Sequence, residues 1–231
     1  MSIHTVSEAI RTRKTTRIFD GKPVSGALIR DILALAAHAP SNGNVQPWQV
    51  TVLTGTALEH AVEVMNDGLY TDGTQEEPEY AIYPPKLGEP YRTRRYRCGE
   101  LMYEALGIPR DDKPARIRQV LKNYAFFGAP VGMIVTIQND MDLGQAVDVG
   151  IFLQNLMLLA HERGLATCAQ ASWAQWPRRV RKAMNIPDDR KIIVGLAVGY
   201  AAEHEPVNQI DQPRIGNDEF VTFAGFGDLE D

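Results

Sequence analysis

Cysteine is almost missing from this chain. The 231 residues include two, Cys98 and Cys168, with no CxxC pair. Neither a disulfide framework nor a zinc site is signalled, and a reducing cytoplasm is the expected compartment. The five histidines, at positions 4, 38, 60, 161 and 204, show no metal-ligand spacing. No Ser-His-Asp pattern or paired-carboxylate motif stands out. Cys168 has no histidine near it in sequence, so a buried structural thiol is expected there rather than a nucleophile. No run approaches the roughly 20 apolar residues of a membrane helix, and residues 1–5 lack the apolar core of a signal peptide. Repeats and low-complexity tracts are absent. Positive charge is in deficit, 24 Lys and Arg against 29 Asp and Glu, for a formal net charge of -5. That balance argues against a dedicated nucleic-acid binder, although 92–97 and 178–182 are basic patches with Tyr91 and Tyr96 beside the first.

What is present suits one well-buried domain: 44% hydrophobic and 23% charged residues. Thr5-Val6-Ser7-Glu8 predicts a capping box opening a short helix. Ser25 predicts the cap of a second helix, with Leu28, Ile29, Ile32, Leu33 and Ala36 at helical spacing. A strand is predicted over 49–53, then a helix to about Met65 opened by a second capping box, Thr56-x-x-Glu59. Residues 67–90, rich in Gly, Pro and acidic residues, predict a long surface excursion. A basic amphipathic helix over 91–106 follows, stopped by Gly107, and Asp112 with Pro114 starts another. Residues 131–137 read as an apolar strand. The most hydrophobic helix, 145–163, is apolar nearly all round between 147 and 160. Such a helix must be buried on all sides, and a subunit interface is one way to cover its second face. A short strand at 166–169, a basic helix begun by Pro177, a strand at 191–200 and a Pro- and Gly-rich tail ending Gly225-Phe226-Gly227 complete the pattern. No β-turn-α unit carries the glycine fingerprint of a dinucleotide fold.

Two motifs carry chemistry. The arm Arg13-Lys14-Thr15-Thr16-Arg17 offers three cations and two hydroxyls, which is what a phosphate needs. About twenty residues on, Pro40-Ser41-Asn42-Gly43-Asn44-Val45-Gln46-Pro47-Trp48 packs hydrogen-bonding side chains between two prolines that hold φ near one value. A ligand with a phosphate at one end and a flat, hydrogen-bonding ring at the other satisfies both, and flavin mononucleotide (FMN) fits. These motifs resemble the FMN-dependent nitroreductase family, whose Arg-Arg-Ser-x-Arg and Pro-Ser-x-x-Asn-x-Gln-Pro-Trp signatures they match. The resemblance continues through Gly164-Leu165-Ala166-Thr167-Cys168, Gly199-Tyr200 and Pro213-Arg214, covering nearly the whole chain. Glu-Pro-Glu-Tyr-Ala-Ile-Tyr-Pro and Pro-Tyr-Arg-Thr-Arg-Arg-Tyr resemble the branch with nitrobenzoate and dinitroaniline reductases.

The resemblance implies an α+β fold, a mostly antiparallel central sheet flanked by helices, in an interlocked homodimer. It implies one nitroreductase-like domain over 1–231, with 67–125 as a variable lid or substrate wall and 201–231 as a dimer-crossing tail. Arg13, Thr15 and Arg214 would hold the FMN phosphate, and Lys14 belongs to the same cofactor-binding arm. Gln212 stands where the family often has lysine. Arg17 would approach the N1 and C2-carbonyl edge of the ring. Pro40, Ser41, Asn42 and Asn44 would lie against the flavin from the partner chain. Gln46 is as readily a buried structural amide, and Trp48 is expected in the core. The backbone of Ala171 and Ser172 would serve N5, where the family has Gly-Gly or Glu-Gly, with Gln170 near the carbonyl edge. No protein side chain is expected to be catalytic, because the cofactor carries the electrons, and no metal is expected. Tyr80, Tyr83, Tyr91, Arg95 and Tyr96 are candidates for the substrate wall. The implied activity is FMN-dependent NAD(P)H oxidoreduction of nitroaromatic compounds by a ping-pong two-electron mechanism. Quinones, activated alkenes and halogenated aromatics are alternative acceptors, and a non-enzymatic nucleic-acid module is the rival from another class.

Overall fold

The computed structural model describes residues 5–67, 69 and 75–225. Residues 1–4 of the amino-terminal reading, 68 and 70–74 of the excursion, and Phe226 and Gly227 of the tail lie outside them. Four strands form one antiparallel sheet in the order β1-β2-β4-β3: β1 Gln49–Thr54, β2 Val131–Gln138, β3 Ala166–Gln170 and β4 Arg190–Gly199. The run Val-Gly-Met-Ile-Val-Thr-Ile of β2 is buried throughout, as expected of a strand covered on both faces.

Among the described residues seven helices surround the sheet: α1 Val6–Thr12, α2 Gly26–Ala36, α3 Gly55–Asn66, α4 Tyr91–Ala105, α5 Lys113–Leu121, α6 Leu143–Glu162 and α7 Pro177–Met184. On one face α2 packs on α6, with Ile32, Ala36, Phe152, Leu156 and Ala160 meeting Met133, Leu196 and Val198. Trp48 joins this layer, its ring stacked on Phe152 at 4.9 Å and 10°. On the other face α3 packs on α7 around Ala61, Met65, Val180, Ile134 and Ile192. That layer is centred on Trp173, which stacks on Phe126 at 4.4 Å and meets Tyr124 edge-on at 5.6 Å. Two strand glycines make room for it. A Cβ at Gly195 would stand 2.1 Å from the Trp173 ring, and one at Gly132 would stand 2.6 Å from the Phe126 ring.

The Thr5–Glu8 capping box forms as read. Several local expectations need correction. Helix α3 begins at Gly55 with Thr54 as its N-cap and no side-chain cap bond, so Thr56 lies inside the helix and the second capping box does not form. Ser25 holds the N-cap position of α2 without capping through its side chain. Helix α4 buries none of its residues, so it has no core-facing side within the chain and is not amphipathic in that sense. The excursion is not loose throughout. Glu79 pairs with Arg181 at 2.6 Å and accepts from the Ile192 N–H at 3.2 Å, pinning that segment to α7 and β4.

Helix α6 departs from the reading in two ways. At 20 residues it has the length and composition of a membrane-crossing helix, the one such helix among the described residues. Its Val149, Phe152, Leu156 and Ala160 are nevertheless packed against the sheet, which makes it a core helix. Nor is it buried on all sides within the chain. Leu143, Val147 and Ile151, at successive i, i+4 positions, form an exposed apolar stripe. Val6 and Ile10 of α1, which packs beside α6, are exposed as well.

Candidate functional site

Helix α1 ends where Arg13 leaves the helical region at φ -59°, ψ 124°. The chain then runs beside β3. Thr15 bridges Thr167 in parallel, and the Thr16 N–H donates to the Thr167 carbonyl at 3.0 Å. Alternate residues of an extended segment share a face. Arg13, Thr15 and Arg17 therefore line one cavity of about 460 Å³.

The tail supplies the facing wall with Ile210, Asp211, Gln212 and Arg214. Asn208 clamps tail to arm: its Oδ1 accepts from the N–H groups of Arg17 (2.8 Å) and Ile18 (3.3 Å). Its Nδ2 donates to the carbonyls of Ile18 (2.7 Å) and Ala202 (3.0 Å). Sequence reading missed Asn208, because an asparagine in a Pro-Val-Asn turn reads as any surface turn.

The cavity is electrostatically lopsided. Arg11, Arg13, Lys14, Arg17 and Arg214 line it against one carboxylate, Asp211. Lys14 pairs with Asp211 at 3.1 Å and donates to the Gln209 carbonyl at 3.0 Å, so its charge is engaged by the tail. Burial, and then the neighbouring Arg214 charge, push the Arg13 guanidinium below the usual arginine range. Crowded guanidinium groups of this kind are relieved by an anion with several acceptor oxygens. Cys168 lies behind the arm on β3. Burial pushes its thiol up to about 11 against the opposing pull of Arg17 and Arg13. It is a structural thiol, as expected.

The second motif forms a different structure at a different place. Residues 41–46 fold into a tight loop through bonds of their own. The Asn44 N–H donates to the Ser41 carbonyl (2.9 Å), the Gln46 N–H to Ser41 Oγ (2.9 Å) and Gln46 Nε2 to the Asn44 carbonyl (3.2 Å). Asn42, Asn44 and Gln46 point outward, so Gln46 is an exposed amide and not a buried one. Helix α6 measures the gap between the motifs. Asn42 bonds Asp148 near its start, and Thr12 Oγ1 meets His161 Nε2 at 2.8 Å near its end. Thirteen residues separate these contacts, about 20 Å at the helical rise. Pro40, Ser41, Asn42 and Asn44 are thus absent from the cavity that Arg13, Lys14, Thr15, Arg17 and Arg214 line.

The segment after β3 is held from below. Trp173 is fully buried, and Tyr124 Oη donates to the Ser172 carbonyl at 3.4 Å. Ala171 stands four residues beyond Thr167, just past the end of β3 and about 13 Å from the arm at the strand rise. Gln170 is buried, and its Nε2 donates to the Asn123 carbonyl at 2.7 Å. Of the aromatic candidates, Tyr80 is structural, its Oη bonded to the Ile193 carbonyl and burial raising its pKa. Tyr83, Tyr91 and Tyr96 are exposed. The Arg95 guanidinium lies over the Tyr83 ring at 4.0 Å, so those two form a unit. Arg94 pairs with Glu219 of the tail at 2.8 Å, tying α4 to the segment that carries Arg214. Among the described residues no His, Cys, Asp and Glu group could hold a metal.

Antiparallel sheet, arginine-lined cavity and clamped tail define an α+β protein equipped to receive an extended anionic ligand. The chain belongs to the nitroreductase family, whose model matches residues 10–200. It is 38% identical over 219 residues to the nitrobenzene nitroreductase of Ectopseudomonas oleovorans, covering 95% of this chain and 96% of that one. It is 37% identical over 217 residues to the 4-nitrobenzoate reductase of Pseudomonas putida, covering 94% of each. Among solved structures it resembles the FMN and NADPH-dependent nitroreductase NfnB of Sphigopyxis sp. strain HMH. The TM-score is 0.93 at 41% identity, over 96% of this chain and 100% of that one.

Proposed function

We propose that this protein is an FMN-dependent NAD(P)H oxidoreductase that reduces nitroaromatic compounds, acting in the cytoplasm as a homodimer. The single observation that carries the cofactor assignment is the Arg13 guanidinium, crowded by Arg214 in a cavity whose one carboxylate is already paired. A phosphate monoester supplies the missing negative charge and acceptors, with Thr15 adding a hydroxyl. Relatives that are nitrobenzene and nitrobenzoate reductases, and a structural neighbour described as FMN and NADPH-dependent, support the reading.

When bound, FMN supplies a two-electron relay between NAD(P)H and the acceptor, each using it in turn. The chain's own residues bind, orient and enclose. Arg13, Thr15 and Arg214, which line one cavity, would hold the phosphate. Arg17, lining the same cavity, would offer a fixed cation to negative charge that the flavin gains when it takes up electrons. Ala171 and Ser172, in the turn just past the end of β3, would offer backbone N–H groups. Residues 75–125 and the tail wall the acceptor side, Tyr83, Arg95, Tyr91 and Tyr96 lying on that wall.

The 20 Å offset along α6 supports a dimer in particular. A two-fold axis across α6 would bring the start of one helix to the end of its partner. The loop of one protomer then meets the arm of the other, while the Leu143, Val147 and Ile151 stripes cover each other. Pro40, Ser41, Asn42 and Asn44 would reach the flavin only in this way. Isolation of the protein tests the reading. A yellow dimer whose flavin is bleached anaerobically by NADH or NADPH and recoloured by a nitroaromatic acceptor is expected. A colourless protein that cannot be reconstituted with FMN would remove it.

A further inference from the structure

Asp148 is the one charged side chain among the buried polar residues of the described structure, and the mechanism so far leaves it unused. It is 4% exposed, its Oδ2 has no hydrogen-bond partner among the described residues, and its helical neighbours on the buried side are apolar. A buried carboxyl oxygen without a donor costs stability that an apolar side chain there would not. What Asp148 supplies in return is Oδ1, which accepts from the Asn42 N–H at 3.2 Å. This is the one hydrogen bond between α6 and the 41–46 loop among the described residues.

The loop needs such a tether. Gly43, Asn44 and Gln46 all lie in the left-handed region, at φ 59°, 57° and 50°. Asparagine adopts that conformation more readily than most residues, but for Gln46 it is strained and persists only where the surroundings impose it. Its internal bonds set the loop's shape but not its placement relative to α6. Trp48 holds the chain beyond the loop against Phe152 of α6, and Asp148 is the polar contact that reaches the loop itself. Asp148 also sits one residue from Val147 and three from Ile151, both in the exposed apolar stripe. One turn of α6 thus carries both the stripe and the loop anchor.

We propose that Asp148 is a positioning residue that registers the 41–46 loop on α6, so that its outward-facing Asn42 and Asn44 meet the cofactor held by the partner's arm. The inference rests on the FMN reading above and adds a device to it: subunit packing and cofactor binding are linked through one carboxyl oxygen.

The test compares FMN dissociation constants and visible circular dichroism of the bound flavin in the wild type, Asp148→Ala and Asp148→Asn. Riboflavin is measured in parallel. Asp148→Ala should weaken FMN binding about ten-fold, the scale of one lost hydrogen bond to a buried group. Riboflavin should weaken by the same factor, since the phosphate arm is untouched, and the flavin circular dichroism should change. Asp148→Asn keeps an acceptor at Oδ1 and should restore most of both. A second pair reads the bond from its other end. Asn42→Ala retains the N–H, whereas Asn42→Pro removes it at a position whose preceding residue is already extended, as proline requires. Asn42→Pro should weaken FMN well beyond Asn42→Ala. An Asp148→Ala protein with lowered melting temperature but unchanged FMN affinity and flavin spectrum would overturn the proposal, as would equal losses in the Asn and Ala variants. If Asp148→Ala fails to fold, the Asn42 pair decides alone. A wild type that takes up no FMN would instead sink the functional reading on which this one stands.

Discussion

Arg13 and Arg214 lie close enough that the charge of the second, after burial itself, depresses the pKa of the first. One belongs to the segment after the first helix and the other to the tail, two hundred residues later. Like charges converge like this at a cost, and an anion between them reverses its sign. Arg13→Ala and Arg214→Ala should each weaken FMN binding by roughly 1.5–3 kcal/mol, the range for hydrogen bonds to a charged group. That is about ten- to a hundred-fold in dissociation constant. Riboflavin, which lacks the phosphate, should bind both variants as it binds the wild type. Unchanged FMN affinity in both would make the arm a surface feature.

Arg17 tests redox tuning. If its guanidinium faces the ring edge that gains negative charge on reduction, Arg17→Gln keeps a donor of similar reach and removes the charge. The two-electron potential of bound FMN should fall, by roughly 30 mV for a loss of about 1.4 kcal/mol. Reduction by NAD(P)H should slow, while FMN affinity changes less than in Arg13→Ala. Anaerobic dye-coupled titration with stopped-flow reduction measures all three, and an unchanged or raised potential would move Arg17 away from that edge.

Cys168 makes a prediction in pH. Its thiol is pushed from 9.0 to about 11 by burial, so the folded chain holds a proton that the unfolded chain has released. The unfolded state then binds fewer protons, and stability falls as pH rises from about 9 towards 11, with no contribution below about 8. The full effect is on the order of 2–3 kcal/mol at 1.36 kcal/mol per unit. Tyr80, also raised by burial, acts in the same direction. The readout is therefore the difference in alkaline urea melts between the wild type and Cys168→Ala, which should shed part of the slope. In the native state a thiol reagent should find the exposed Cys98 and not Cys168.

Gly195→Ala should destabilise the fold by more than about 1 kcal/mol, because its Cβ would overlap the fully buried Trp173 ring and overpacking of this kind typically costs 1–3 kcal/mol. Pairing it with Trp173→Leu should recover part of the loss. The same collision displaces the turn that carries Ala171 and Ser172, so flavin reduction should slow in the single variant more than its melting temperature alone accounts for.

Sequence by itself determined the elements and the chemistry they carry. The Thr5–Glu8 cap, the buried β2 run and Trp48 in the core all follow from local spacing and residue type, which a linear chain records directly. That the arm is extended, bringing Arg13, Thr15 and Arg17 to one cavity, came only with its bridge to β3. Local spacing also misled where the choice lay with longer-range packing. Gly55 starts α3 one residue before the apparent Thr56 capping box, and α4 has no core for a basic face to oppose. Only the tertiary structure decided that Asn208 joins arm to tail, that Gln170 turns to Asn123, and that Glu79 is pinned to Arg181 across a hundred residues. Only it placed the two ligand motifs, about twenty residues apart in sequence, at opposite ends of α6. Distance along the chain and distance in space part company there. The sheet order puts β1 and β3 at opposite edges, and no pattern of residue types along a strand encodes which edge it will occupy.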